Sequence, residues 1–171
     1  ENMETPEMDS RYQLVQWNSK YLESAVNVIH STFQHTSDAL FDTRFTTLDG
    51  TRDIIDKVVN SIYGEFLPEA TTVLLCDGEP VGFAFANVTG GKIANIPLVG
   101  VLEQHRGTGL SVLMLQRVMN SILNSMKAGK RQFSEVNVTT ETDNFGALRM
   151  YRTVGFREDY SYSQAYLPAE M

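Results

Sequence analysis

The stretch Ile93–Met126, which reads IANIPLVGV, then LEQHRGTGL, then SVLMLQRVMNSILNSM, decides how the rest of the chain is read. Ile93–Val101 is short and rich in strand-forming residues, whereas Leu115, Val118, Met119, Ile122 and Met126 recur at helical spacing. A strand therefore feeds a glycine-bearing loop that opens a helix. The first turn of such a helix carries N–H groups without intrahelical partners at the positive end of the helix dipole, a setting that suits a phosphate. Gly107 and Gly109 allow the backbone to approach it closely. Pro97 removes a ladder hydrogen bond in mid-strand, so a bulge or a gap to one neighbour is expected there.

Working upstream, Val81–Val88 (VGFAFANV) reads as a strand antiparallel to Thr71–Cys76 (TTVLLC) across a DGEP turn, and TGGK leads into the strand before the glycine loop. Tyr12–Gln16 alternates as a first strand. Asn18 or Ser19, with Glu23 behind, opens a helix that buries Leu22, Val26, Ile29 and Phe33. Gln34–Gly50 lacks periodicity and reads as a connecting loop of a length that often carries specificity. Thr51 is the expected cap of a second helix with Ile54, Ile55, Val58, Val59 and Ile62 on one side, ended by Gly64 and Pro68.

Downstream, Lys127, Gly129, Lys130 and Arg131 suit a helix C-terminus, and Glu135–Thr140 alternates as a strand. Asn144 caps a last helix with Ala147, Leu148, Tyr151 and Val154 on one face, closed by Gly155 and Phe156. Tyr160, Tyr162 and Tyr166 are expected in a terminal strand or pair of strands. Residues 1–11 are polar and aperiodic and read as a linker or leader; residues 12–171 read as a single domain.

At 171 residues, 42% hydrophobic and 20% charged, the composition is globular. The net charge of −7 argues against nucleic acid or an anionic membrane surface as partner and favours a cationic substrate. Cys76 is the single cysteine, so an intrachain disulfide and a cysteine zinc site are both excluded; it reads as a small buried hydrophobe in a reducing, cytoplasmic setting. His30 and His35 are five apart, off any shared helical face, and no metal site is expected. No apolar run approaches the ~20 residues of a membrane-spanning helix.

The order strand, two helices, three strands, helix, strand, helix, together with Gln104-His105-Arg106-Gly107-Thr108-Gly109, resembles the GNAT acetyltransferase superfamily, whose signature is Gln or Arg, two residues, Gly, one residue, then Gly or Ala. Asn144, Ala147, Tyr151, Gly155 and Phe156 match that family's second pattern, Asn-x-x-Ala-x-x-x-Tyr-x-x-x-Gly-Phe, at the right distance. The resemblance implies an α/β fold with a mixed sheet splayed at the strand holding Pro97 and helices on both faces. It implies an acetyl-CoA-dependent N-acetyltransferase acting on a primary amine of a small molecule or peptide. Acetyl-CoA serves as cosubstrate, without a metal.

On that resemblance the pantetheine lies in the opening and the pyrophosphate on the loop of Gln104, His105, Arg106, Gly107, Thr108 and Gly109, with Leu110 and Ser111 starting the helix beyond. Ser111 replaces a third small glycine found in many relatives, and Asn95 and Pro97 occupy strand positions that often carry polar or acidic catalytic groups. Asn144, Ala147 and Tyr151 would meet the cofactor from the last helix. Backbone N–H groups at Val99, Gly100 and Val101 are placed to polarise the thioester carbonyl. Tyr151 is the expected proton donor to the thiolate, and Glu141 the direct or water-relayed base. Trp17, Phe41, Phe45 and Phe66 read as core before acceptor pocket, although Phe41 and Phe45 sit in the irregular segment that should border the acceptor site. The stretch Asp38–Thr71 also looks like a subgroup in which this domain is the C-terminal half of a two-domain chain, so a missing N-terminal domain or a second copy is a further expected partner.

Two other readings compete. A dinucleotide fold would need a third glycine at Val112 and an acidic residue about 20 positions on, and has neither. A catalytically silent acyl-CoA-binding sensor or interaction domain of the same fold would keep the loop and lack turnover.

Overall fold

The computed structural model describes residues 8–161 and Ser163. Strand β1 (Tyr12–Gln16) leads to a 3-10 turn that Asn18 caps by accepting the Lys20 N–H, and on into α1 (Leu22–Phe33). The segment expected to be irregular carries α2 (Asp38–Phe41) and a 3-10 turn over Thr43–Thr46. Helix α3 (Leu48–Val59) starts earlier than expected. Thr47 is its cap, accepting the Gly50 N–H at 3.1 Å, and Thr51 is buried inside it. A Cβ on Gly50 would stand 2.3 Å from the Arg44 carbonyl oxygen, so this glycine serves close packing and marks no boundary. Ile62 lies beyond the helix end and is exposed.

The remaining elements are β2 (Glu65–Phe66), β3 (Thr72–Cys76), β4 (Glu79–Ala84), β5 (Asn87–Thr89), β6 (Ile93–Asn95), β7 (Val99–Val101), α4 (Leu110–Lys127), β8 (Glu135–Asn137) and α5 (Phe145–Val154). Strand β2 went unread in the sequence, β8 is half its expected length, and each of two expected long strands is broken in two. Ala86 explains one break: its N–H turns to the Thr71 hydroxyl instead of a ladder. Pro97 lies in the other. Ala84 faces Val99 and Asn87 faces Asn95, so the Pro97 side carries one extra residue. Tyr160 is exposed and lies in no strand, while Tyr162 and Tyr166 fall outside the described residues.

These breaks divide the mixed sheet into two halves, β1-β3-β4-β7 and β2-β5-β6-β8, antiparallel except for the parallel pair β6 and β8. Strand alternation then sorts the core. Val73, Leu75, Phe83 and Phe85 pack with α1 and α3, whereas Leu74, Ala84 and Ala94 pack with Leu110, Met114, Leu115 and Val118 of α4. Fully burying side chains of this size stabilises by roughly 1.5–3 kcal/mol each, which ties both helix layers to one sheet. Among the described residues no helix is long and apolar enough to cross a membrane.

Candidate active site

The fork between the half-sheets follows from the residues around Pro97. The Ile96 N–H still reaches across to the Asn137 carbonyl at 3.1 Å, after which β8 and β7 are unpaired. On the other side, Phe85 N–H donates to Leu98 O and Leu102 N–H donates to Val81 O, both at 2.9 Å. By antiparallel alternation Leu98, Gly100 and Leu102 face β4. The polar backbone groups of Val99 and Val101 therefore point outward, along the free edge of β7. Gly100, expected to share in polarising a carbonyl, points the other way, toward Phe83. Its missing side chain serves packing, because a Cβ would meet Ile29 and Thr32 of α1 at 3.1 Å.

Past β7 a 3-10 turn over Glu103–His105 brings the chain to the glycine loop. Gly107 and Gly109 have φ of +81° and +80°, left-handed values that side chains rarely adopt, and a Cβ on Gly107 would meet nothing within 4 Å. Gly109 caps α4 with no side chain to accept from the first turn, so no side-chain cap takes the leading N–H groups of the helix. That cradle fits a pyrophosphate. Two side chains expected to reach phosphates instead brace the loop: His105 Nδ1 lies 2.8 Å from the Tyr12 hydroxyl, and Arg106 Nε donates to Val101 O at 2.8 Å.

Asn144 caps α5 by accepting the Ala147 N–H at 3.1 Å. Tyr151 stands two turns further on the same side, 9% exposed and edge-on to Phe156. Burial, with a smaller push from Asp38, raises its phenol to about 12, so it stays protonated throughout the working range. Glu141 lies in the turn before the Asn144 cap, and its carboxyl is also raised, by burial first and then by repulsion from Asp38 and Asp143. Asp38, the first residue of α2, thus acts on both Glu141, in the turn after β8, and Tyr151 of α5. Asp38 had no signal in the sequence, since it sits in an aperiodic stretch. Phe41 stays 44% exposed on α2, but Phe45 is core, buried and stacked on Phe33 at 4.8 Å.

A larger hollow of about 490 Å3 lies on the outer face of α5, against Phe145, Arg149, Arg152 and Thr153. Its lining holds, among the described residues, no carboxylate, imidazole, thiol or phenol to move a proton. The cleft at the fork is only about 100 Å3 and is lined by Asn95, Ile96, Pro97, Asn137, Val138 and Thr139, where the two half-sheets part.

Residues 37–156, more than half the chain, match the sequence profile described as acetyltransferase (GNAT) family. No curated protein matches. Among solved structures, the aminoglycoside N-acetyltransferase AAC(6')-Iy in complex with CoA is 15% identical with a TM-score of 0.65, covering 95% of this chain and 97% of that one. PH1933 from Pyrococcus horikoshii OT3 is 15% identical with a TM-score of 0.67 over 89% and 92% of the two chains. Naa50 of Arabidopsis thaliana, in complex with the bisubstrate analogue CoA-Ac-MVNAL, is 17% identical with a TM-score of 0.61 over 94% and 92%. At these identities the likeness is one of fold, and with the profile match over most of the elements around the fork, the chain belongs to the acetyltransferase (GNAT) family of N-acetyltransferase enzymes.

Proposed function

We propose that this chain transfers the acetyl group of acetyl-CoA directly to a primary amine of a small molecule or peptide. The observation that carries the reading is the fork itself, where the outward N–H groups of Val99 and Val101 run toward the glycine-capped start of α4. An anionic pyrophosphate on the N–H groups from Gly107 to Ser111 would leave the pantetheine along the β7 edge, with Asn144 and Ala147 on its far side. The Val99 N–H would then polarise the thioester carbonyl, a role that a fixed backbone dipole performs without reorganising.

An alkylammonium with a pKa near ~10 must lose a proton before it attacks. Glu141, whose carboxyl is a stronger base than usual, takes that proton directly or through water. The amine nitrogen forms its bond to the carbonyl carbon as the carbon–sulfur bond breaks, and the sulfur leaves with the electron pair. Tyr151 donates its hydrogen bond, and finally a proton, to that sulfur, and the second proton of the attacking nitrogen returns to the phenolate, giving a neutral N-acetyl amine and free CoA thiol. A soluble cytoplasmic setting, where acetyl-CoA is made and used, belongs to the same proposal.

Amine-dependent release of CoA thiol across a panel of monoamines, polyamines, aminosugars and peptide N-termini tests the reading. Release above the acetyl-CoA hydrolysis background with at least one amine class is expected. CoA binding without release on any of them would favour the sensor reading instead.

A further inference from the structure

Three asparagines stand in register across one half-sheet: Asn87 on β5 faces Asn95 on β6, which faces Asn137 on β8. Their neighbours Val88, Ala94, Val136 and Val138 pack in the core with α4, so by alternation the three amides share the opposite face. Each side-chain nitrogen in the row has at least one acceptor. Asn87 Nδ2 donates to Tyr63 O at 3.1 Å, Asn95 Nδ2 to Thr89 Oγ1 at 2.9 Å and Ile93 O at 3.3 Å, and Asn137 Nδ2 to Glu135 Oε1 at 3.2 Å.

Each set includes a backbone carbonyl or a carboxylate, which can only accept, so the amide orientations are fixed and, among the described residues, no donor reaches the three Oδ1 atoms. Asn87 is 2% exposed, and its Oδ1 is the buried side-chain atom without a partner among the described residues. A native fold rarely leaves such an atom unmade. Asn95 and Asn137 line the cleft of about 100 Å3 with Ile96, Pro97 and Thr139, where the fork opens.

A row of acceptors at the inter-strand interval of about 4.8 Å calls for donors at a similar interval. Electrostatics select the kind of donor. Glu135 belongs to the row and Glu141 lies just past β8, whereas the nearby guanidinium groups of Arg44 and Arg131 are each occupied by two carboxylates. Neutral amide donors would gain nothing from that excess of negative charge, and protonated nitrogens would.

We propose that the Asn87–Asn95–Asn137 row recognises the second amino group of a polyamine acceptor, one nitrogen reacting at the fork while the next donates to the amide oxygens. The inference rests on the acetyltransferase reading. Asn95 lies four residues before Val99, so the two nitrogens must fall within about 13 Å of each other. Asn87 closes the inner, buried end of the row, and Asn95 and Asn137 present its acceptors to the cleft.

The test compares spermidine, putrescine and butylamine, with an aminosugar and a short peptide as contrasts, by turnover and by calorimetric titration in the presence of CoA. A hydrogen bond to a charged partner makes spermidine better than butylamine by on the order of 10-fold or more in kcat/KM. In Asn95→Leu, and independently in the exposed Asn137→Leu, that ratio should fall toward one. Equal use of spermidine and butylamine by the unaltered protein, an unchanged ratio in both variants, or a peptide or aminosugar that outruns spermidine would each overturn the proposal. If no amine is turned over but spermidine still binds in a row-dependent way, the acetyltransferase reading fails and the row stands.

Discussion

Replacing Tyr151 by Phe separates its proton from its packing. The ring remains edge-on to Phe156, at a centroid distance of 5.8 Å, and stays in the cluster with Leu110 and Met114. The phenol is held up to about 12 by burial. Against a thiol near ~8.5, full proton transfer to the departing sulfur is therefore uphill by roughly 5 kcal/mol unless the same burial raises the thiol as well. The contribution is best treated as a hydrogen bond to a developing charge, about 1.5–3 kcal/mol, or roughly 10- to 150-fold in kcat.

Stopped-time turnover should show that loss with acetyl-CoA affinity almost unchanged, the pattern of an interaction made mainly in the transition state. A second readout is alkaline stability. Unfolded tyrosine loses its proton near pH 10, the buried one near about 12. The folded state thus binds the proton more tightly, and stability present below pH 10 drains away as pH rises through that window, by about 2–3 kcal/mol. The Phe variant should lack that component in paired denaturant titrations. Near-normal kcat in Tyr151→Phe would refute the reasoning and leave the residue as core filler.

Other perturbations address separate parts of the site. Gly107→Asp places a negative side chain in the open cradle, where no protein atom lies within 4 Å of its Cβ; thermal stabilisation by CoA should vanish, and an undiminished shift would remove the loop from the binding site. Glu141→Gln should lower kcat by on the order of 10²-fold and abolish the acid limb of the pH profile. In the unaltered protein that limb should lie above the ordinary glutamate value, because burial raises this group and only its ionised form accepts a proton; a limb at the ordinary value, kept in the Gln variant, would assign the base elsewhere. Gly50→Ala should destabilise by about 1–3 kcal/mol in urea titration, since its Cβ would meet the Arg44 backbone at 2.3 Å; an unchanged midpoint would show that the contact relaxes at no cost.

The legible parts of this chain are those written in local chemistry. Proline without an N–H marked the fork at Pro97, alternating Val, Leu and Phe marked β3 and β4, and the pairing of Asn144 with Gly155 bounded α5 as N-cap and left-handed C-cap. The misread parts depend on contacts distant in sequence. Gly50 looks like a helix boundary until Arg44 is seen packed against it. The stretch after α1 holds α2 and a 3-10 turn because Arg44 bridges Asp42 and Asp53 and donates to Tyr63. Phe45 enters the core through Phe33. For the proposed site, spacing makes the loop and Tyr151 candidates, whereas the asparagine row becomes a candidate only through the register of three strands.

The claim on which the rest depends is that acetyl-CoA lies along the free edge of β7. Backbone amide NMR on addition of acetyl-CoA tests it residue by residue. The N–H signals of Val99, Val101 and Gly109–Ser111 should shift and exchange more slowly, while Gly100, already facing β4, keeps its slow exchange throughout. Shifts confined to Phe145, Arg149 and Arg152 on the outer face of α5, with Val99 and Val101 unmoved, would contradict the account.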